Sequence, residues 1–201
     1  MPWESGTIPR RYQWVGCTLV RLVRLGDDRG GGQAMANDSI GYSGLQITLH
    51  WLIAALVLFQ FVFHEPIVQA FDDRIDGDMP VPVEETGAWL HVVGGVIILI
   101  LALIRITVRT RHGVPAVPRE HPALLRWIAL ATHYLLYGFI IGMPLVGAAA
   151  WFGGIEAAGA IHSAARFILV PLILVHAAGA LVEHFVLRTN VLRRMLVPEK
   201  R

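Results

Sequence analysis

Five histidines stand inside long apolar stretches of this sequence, where an ionisable side chain is costly to bury and is a functional candidate by default. They are His50, His91, His133, His162 and His176. Two imidazoles that face each other can hold a metal between them, and a haem that only transfers electrons takes one axial imidazole from each side. The spacing of the histidines therefore decides whether such pairs can form.

His162 and His176 lie 14 residues apart within one apolar stretch. At about 100° per residue on an α-helix, they fall within about 40° of the same face and about 21 Å apart along the axis. One helix could thus offer a ligand to each of two haems that are stacked through a membrane.

Four long apolar runs must position these histidines. Hydrophobic residues make up 55% of the 201 residues and charged residues 16%, whereas soluble domains contain roughly 25% charged residues. Each run approaches the roughly 20 residues that a helix needs to cross a bilayer, and all are too uniformly apolar for barrel strands. The runs lie near residues 45–63, 88–108, 127–152 and 161–187. The sequence predicts an all-α integral membrane protein, a bundle of four transmembrane helices.

Positive charge is concentrated on one side of this bundle. Fifteen of the 17 Lys and Arg residues precede the first run, lie around the connection between the second and third, or follow the fourth. The opposite side is acidic, with seven Asp and Glu residues between positions 65 and 85. Because positive residues collect on the cytoplasmic side, we expect both termini in the cytoplasm and the protein in a bacterial inner membrane. The net charge of only +2 gives no reason to expect a nucleic acid as partner.

In this orientation the histidines pair by depth. His50 and His176 both lie in the cytoplasmic half of the membrane, and His91 and His162 both lie in the outer half. We therefore expect two b haems, an inner one held by the first pair and an outer one held by the second. The inner depths match imperfectly, which would require the fourth helix to protrude or tilt. A di-metal centre is the alternative, but such centres usually recruit carboxylates, and only Glu183 is available inside the runs.

Two arginines and a glycine surround the expected haems. Arg105 lies 14 residues after His91 and could pair with a propionate of the inner haem, while Arg166 lies one turn after His162. Both guanidinium groups could instead extend to the membrane surface. Gly95 would leave bare backbone beside a flat porphyrin, although small residues are also common where membrane helices pack together.

His133 and Glu183 are candidates for contact with a quinone or with protons. His133 opens the third run on the cytoplasmic side and could bind a quinone or a propionate, or simply lie at the interface. Glu183 lies seven residues after His176 and shares its face within about 20°, which suits a proton acceptor near the inner haem. No residue is assigned a certain catalytic role.

The ends of the chain differ from residues 41–197, which carry the four runs. Residues 1–40 are rich in Gly and Arg and lack periodicity. Three interpretations are open. The segment is a disordered extension, or it contains a short surface helix, or Met35 is the true first residue and the segment before it is an artefact. Residues 188–201 form a basic tail. Cys17 is the one cysteine, which excludes a four-cysteine iron–sulfur cluster, and no C-x-x-C-H motif offers covalent haem attachment.

Several segments, taken in order over residues 42–197, resemble the prokaryotic cytochrome b561 family. The matching segments are YSGLQITLHW at 42–51, the spacing of His91 and Arg105, His133 followed by PLVG at 144–147, and His162 with His176 followed by NVLRRM at 190–195. The resemblance implies a four-helix di-haem bundle whose axial ligands are the four paired histidines. Glu183 stands where a relative has a histidine.

The resemblance also implies electron transfer between haem b and a membrane quinone, with superoxide as the electron donor of one member. We therefore expect electrons to pass from a donor on the periplasmic side, superoxide being one candidate, to ubiquinone. One alternative is an electron-transfer subunit of a membrane-bound dehydrogenase or hydrogenase. Another is a non-redox transporter, which would be colourless. The sequence gives neither the donor, the haem potentials nor the oligomeric state.

Overall fold

The computed structural model describes residues 41–113 and 123–198, and every regular element within these ranges is an α-helix. The helices are α1 (Gly44–Val62), α2 (Glu65–Asp76), α3 (Pro82–His112), α4 (Ala123–Gly153), α5 (Glu156–Phe185) and α6 (Val191–Arg194). Four of them, α1, α3, α4 and α5, are long and apolar enough to cross a membrane. The predicted fold class is thereby confirmed. The expectations for residues 1–40, and the last three residues of the basic tail, lie outside the described ranges.

Helix α3 is longer than its apolar run, because charged residues extend it at both ends. It begins at Pro82, whose fixed φ suits the first turn of a helix, and Glu84 and Glu85 follow in that turn. Arg109 and Arg111 lie in its last turn. Acidic residues at the start and basic residues at the end both complement the helix dipole. The apolar pattern therefore predicts the part that lies inside the membrane, and the helix continues beyond that part.

Helix α2 was not among the predicted elements. Its 12 residues are too few to cross a bilayer, and it ends at Gly77 in the left-handed conformation, with φ of 84°. Ala70 is fully buried, and Ile67 and Phe71 pack in the same cluster. These three positions fall on one helix face, so α2 is a polar helix with one apolar stripe. Because acidic residues dominate this segment, its apolar stripe was too weak a pattern to predict a helix from the sequence.

Two glycines allow α2 to pack closely on the membrane helices. A Cβ atom at Gly87 of α3 would lie 2.5 Å from the Cβ of Pro66, and one at Gly159 of α5 would lie 2.7 Å from the Phe71 ring. Such distances are shorter than side-chain atoms tolerate. Helix α2 is thus held against the N-terminal ends of both α3 and α5.

The start of α1 is fixed by hydrogen bonds near His50. Ser43 accepts from the Gln46 backbone N–H at 3.3 Å, and the Gln46 side chain accepts from the Ser43 N–H at 3.0 Å, a reciprocal cap. Gln46 Nε2 also donates to the Gly113 carbonyl at 3.1 Å, which joins α1 to the end of α3. Trp51 Nε1 donates to the carbonyl of Met195 at 2.8 Å. The described part of the basic tail therefore folds back onto the same end of the bundle.

Candidate haem-binding site

Four histidine side chains meet in two pairs. The rings of His50 on α1 and His176 on α5 have centroids 6.1 Å apart and planes inclined by 68°. The rings of His91 on α3 and His162 on α5 have centroids 6.1 Å apart and planes inclined by 71°. The two pairs have nearly the same geometry, and each uses one histidine of α5.

This separation fits one metal ion between each pair of rings. Two metal–imidazole bonds of about 2 Å, and about 1 Å from each nitrogen to its ring centre, place two opposed rings roughly 6 Å apart. Both pairs meet that value. Two imidazoles are a donor set that suits the axial positions of an electron-transferring b haem.

Counted from the helix ends, the two inner partners lie at closer positions along the bundle than the apolar runs suggested. His50 is six residues after the first residue of α1, and His176 is nine residues before the last residue of α5. His91 is nine residues into α3, and His162 is six residues into α5. Each pair is thus offset by three residues, which is about 4.5 Å of helix rise. Only a modest tilt is needed to align them.

Helix α5 stands apart from the two helices that carry its partner histidines. Close backbone packing joins α1 to α3, α3 to α4 and α4 to α5, whereas α5 makes at most isolated close approaches to α1 or α3. Leu169 is the one buried residue among those described in α5. The imidazoles bridge a gap that the backbones leave open, and a flat macrocycle needs such a gap.

The surroundings of His162 also fit a ligand. His162 Nδ1 donates to the Met143 carbonyl at 2.9 Å, which leaves Nε2 as the nitrogen able to bind a metal. A Cβ atom at Gly147 of α4 would lie 3.0 Å from two atoms of this ring. An apolar groove of about 310 Å³ opens beside His162 between α4 and α5, and Gly138 and Gly142 line its wall. The groove offers room for a flat apolar group.

Arg105 lies near the inner pair. Its Nη1 donates to the carbonyl of Gln46 at 2.9 Å, one turn before His50. It lines a small pocket together with Gln46, Tyr42, Arg109 and Tyr137. The Arg109 guanidinium lies 5.9 Å from the centre of the Tyr137 ring. Two guanidinium groups and two phenols are a donor set for an anionic oxygen.

Sequence reasoning did not single out Arg109 or the two tyrosines. Arg109 is one helical turn after Arg105, a spacing that puts both on one face of α3, and this signal was available. Tyr42 and Tyr137 belong to other parts of the chain. Their approach to the arginines depends on how α1 and α4 pack, which no local pattern specifies.

His133 lies beside the inner pair. Its ring centroid is 5.0 Å from that of His176, with planes inclined by 87°, and its Nδ1 donates to the Ala129 carbonyl at 2.6 Å. A spacing of 5.0 Å is too short for an ion between opposed rings, so His133 is a neighbour of the candidate ligand. Within the described residues, no three His, Cys, Asp or Glu side chains gather to hold a metal. The di-metal alternative has no ligand cluster there.

The remaining candidates are spread around the bundle. Glu183 accepts a hydrogen bond from the Thr189 hydroxyl at 2.9 Å, at the end of α5. The Arg166 guanidinium lies 5.1 Å from the centre of the Phe167 ring. A Cβ atom at Gly95 would lie 3.6 Å from the side-chain nitrogen of Gln60. Gln60 therefore occupies the space beside Gly95.

Comparison with known proteins identifies the family. The family model described as prokaryotic cytochrome b561 matches residues 41–198. The chain is 39% identical over 161 residues to cytochrome b562 of Cereibacter sphaeroides, covering 79% of this chain and 96% of that protein. It is 28% identical over 181 residues to the probable superoxide oxidase CybB of Yersinia pestis, covering 80% of this chain and 97% of that protein. The chain belongs to the prokaryotic cytochrome b561 family, as a multi-pass bacterial membrane cytochrome that carries haem b and transfers electrons.

Proposed function

We propose that the protein holds two b haems and passes electrons through the inner membrane from a donor outside to ubiquinone. One observation carries the proposal: two histidine pairs with ring centroids 6.1 Å apart share α5, at positions 14 residues apart. When bound, the haems would supply two one-electron centres at different depths. His50 and His176 would hold the inner one, and the other pair would hold the outer one.

The proposed orientation puts both termini and the connection between α3 and α4 in the cytoplasm. It rests on charge, because that side carries fifteen of the 17 Lys and Arg residues. Helix α2, its connection to α3 and the start of α3 then face the periplasm with seven acidic residues, and Arg74 is the one Lys or Arg residue among them. The outer haem would lie close to this acidic face.

Superoxide is the proposed donor, and the name of the CybB relative supports it. Each superoxide gives one electron and leaves as O₂. Two electrons and two protons convert one ubiquinone to ubiquinol. His133, beside His176, and Glu183, near the cytoplasmic end of α5, are the proposed contacts for the quinone and its protons. Glu183, to which the Thr189 hydroxyl donates, would pass protons to the quinone from the cytoplasmic side.

Vesicles of defined orientation test this function. In right-side-out vesicles, superoxide generated outside is expected to reduce ubiquinone in the membrane, and in inverted vesicles it is not. Because superoxide is an anion that must approach an acidic face, the initial rate should rise at least about two-fold between low salt and roughly 0.15 M salt. His91→Ala serves as the inactive control. Reduction only in inverted vesicles would contradict the orientation, and a rate that falls with salt would contradict entry over this face.

Purification of the same protein tests the alternative function. An electron-transfer subunit is expected to co-purify with a dehydrogenase or hydrogenase and to ignore superoxide. A stand-alone carrier is expected to reduce quinone without a partner protein. Family membership already disfavours the non-redox transporter, because the members are cytochromes.

We further propose that Arg105 binds a propionate of the inner haem and that Arg109, Tyr42 and Tyr137 complete its pocket. The pocket holds about 10 Å³, close to the least volume that admits one oxygen-sized atom. That size suits a single carboxylate oxygen. Arg166 would bind a propionate of the outer haem in the same way, since it follows His162 by one turn.

Neutralising Arg105 is expected to lower the midpoint potential of the inner haem only. A nearby positive charge disfavours the ferric state, so Arg105→Gln should shift the inner component down by roughly tens of millivolts. Arg111→Gln, on the exposed end of the same helix, is the matched control and should shift neither haem. Redox titration of the absorption spectrum measures both. An unchanged inner potential in Arg105→Gln would exclude this role.

A further inference from the structure

Two polar atoms near the outer histidine pair are buried without a hydrogen-bond partner among the residues that the structure describes. They are the side-chain oxygen Oε1 of Gln60 and the ring nitrogen Nδ1 of His91. Buried polar atoms in folded proteins almost always have partners, and each exception calls for a physical explanation. One of these atoms is an acceptor. The other is a ring nitrogen that can carry a proton and donate.

The two residues are already joined. Gln60 Nε2 on α1 donates to the backbone carbonyl of His91 at 2.7 Å. Glycines on α3 make room for the amide: a Cβ atom at Gly94 would lie 3.2 Å from Gln60 Oε1, and one at Gly95 would lie 3.6 Å from Nε2. The amide of Gln60 is therefore held against α3 within about one turn of the His91 ring.

A histidine that binds a metal usually donates its other ring N–H to an acceptor, which fixes the tautomer and raises the basicity of the ligand. His162 already follows this rule through the Met143 carbonyl. His91 does not, and its buried Nδ1 has no acceptor within residues 41–113 and 123–198. Gln60 Oε1 can supply this acceptor, because the Gln60 side chain already binds the His91 backbone and its oxygen has no other partner among the described residues.

We infer that Gln60 is a positioning residue for the outer haem, whose side-chain oxygen accepts the Nδ1–H of His91 when His91 binds iron through Nε2. Rotation of the imidazole or of the amide would bring these two atoms together, while Gln60 Nε2 keeps its bond to the His91 carbonyl. The hydrogen bond pushes electron density onto the ligand and stabilises ferric iron. Gln60 thereby lowers the potential of the outer haem. This inference rests on the proposed role of His91 as an axial ligand.

Two variants of Gln60 separate its donor from its acceptor. Gln60→Leu removes both groups and is expected to raise the outer potential. Consider the ambient potential at which the wild-type outer haem is half reduced. At that potential the outer haem of Gln60→Leu should be about ten-fold more ferrous than ferric, which corresponds to a rise in midpoint potential of 59 mV for one electron. Gln60→Glu keeps an acceptor and loses the donor, so its outer potential should stay at or below the wild-type value.

Redox titration of the purified full chain measures both potentials, and the low-spin ferric EPR signal reports the strength of the ligand field independently of activity. The inner haem is expected to be unchanged in both variants. Gln69→Leu is the matched control, because Gln69 is an exposed glutamine on α2 that donates to Glu65. It should leave both haems as in the wild type.

The outcomes distinguish the inference from the function on which it rests. If His91→Ala removes the outer haem but Gln60→Leu leaves its potential and EPR signal unchanged, Gln60 has no positioning role. If His91→Ala leaves a low-spin outer haem, the ligand assignment fails first and the role of Gln60 fails with it. Should Gln60→Leu lose the outer haem entirely, Gln60→Glu decides: a low-spin outer haem at or below the wild-type potential supports the inference, and a raised potential overturns it.

Discussion

Replacing His50 or His176 with alanine is expected to remove the same haem, and replacing His91 or His162 is expected to remove the other one. The rings of each pair have centroids 6.1 Å apart across the bundle. A six-coordinate low-spin haem that loses one imidazole becomes high-spin or is released, because the axial ligand is a main determinant of its state. Each single variant should therefore fall from two low-spin haems per chain to one.

The remaining haem identifies the pair. The two variants of one pair should show the same surviving midpoint potential, and His50→Ala with His91→Ala should leave none. His112→Ala is the control, since His112 is exposed at the end of α3 and its Nδ1 donates to the Val108 carbonyl. His133→Ala should also keep both haems if His133 is a neighbour of the ligand. Loss of one and the same component in His50→Ala and His91→Ala would overturn the pairing.

Replacing Gly147 with valine is expected to remove the outer haem while the inner haem stays. A Cβ atom at this position would already lie 3.0 Å from Cε1 and Nδ1 of His162, and the branched side chain of valine adds two further methyl groups there. The imidazole must then leave the position in which it donates to Met143. Since packed interiors tolerate little added volume, the haem content should fall from two per chain to about one.

Gly147→Ala and Ala149→Val define how specific this effect is. Alanine requires His162 to move by only a few tenths of an ångström, so it should keep the haem with an altered outer potential. Ala149 lies two residues further along α4 and is exposed, so Ala149→Val should change neither haem. Haem content and the redox spectrum of each variant measure the effect. A Gly147→Val protein with two normal haems would show that His162 does not bind iron at this place.

Much of this arrangement could be predicted from the order of residues. Uninterrupted apolar runs predict membrane helices because the backbone must satisfy its own hydrogen bonds in lipid. The 14-residue spacing on one helix, with alternating helix direction, predicts which histidines share a depth. Both patterns are local or depend on simple periodicity, so they need no knowledge of side-chain packing.

Other features depend on contacts between distant segments. The apolar stripe of α2 consists of only three residues, and acidic residues lie around it in the sequence. The contacts of the histidines with Gln60, Gly147 and the Met143 carbonyl form only when α1, α3, α4 and α5 pack together. A glutamine or a glycine in an apolar run carries no signal of that kind by itself.

We expect one chain to hold two b haems, one between each pair of histidines. A redox titration of the purified protein, combined with haem and protein quantification, tests this expectation. Two one-electron components of equal amplitude and two haems per chain are the expected result. One haem per chain, lost equally when any of the four histidines is replaced by alanine, would contradict it.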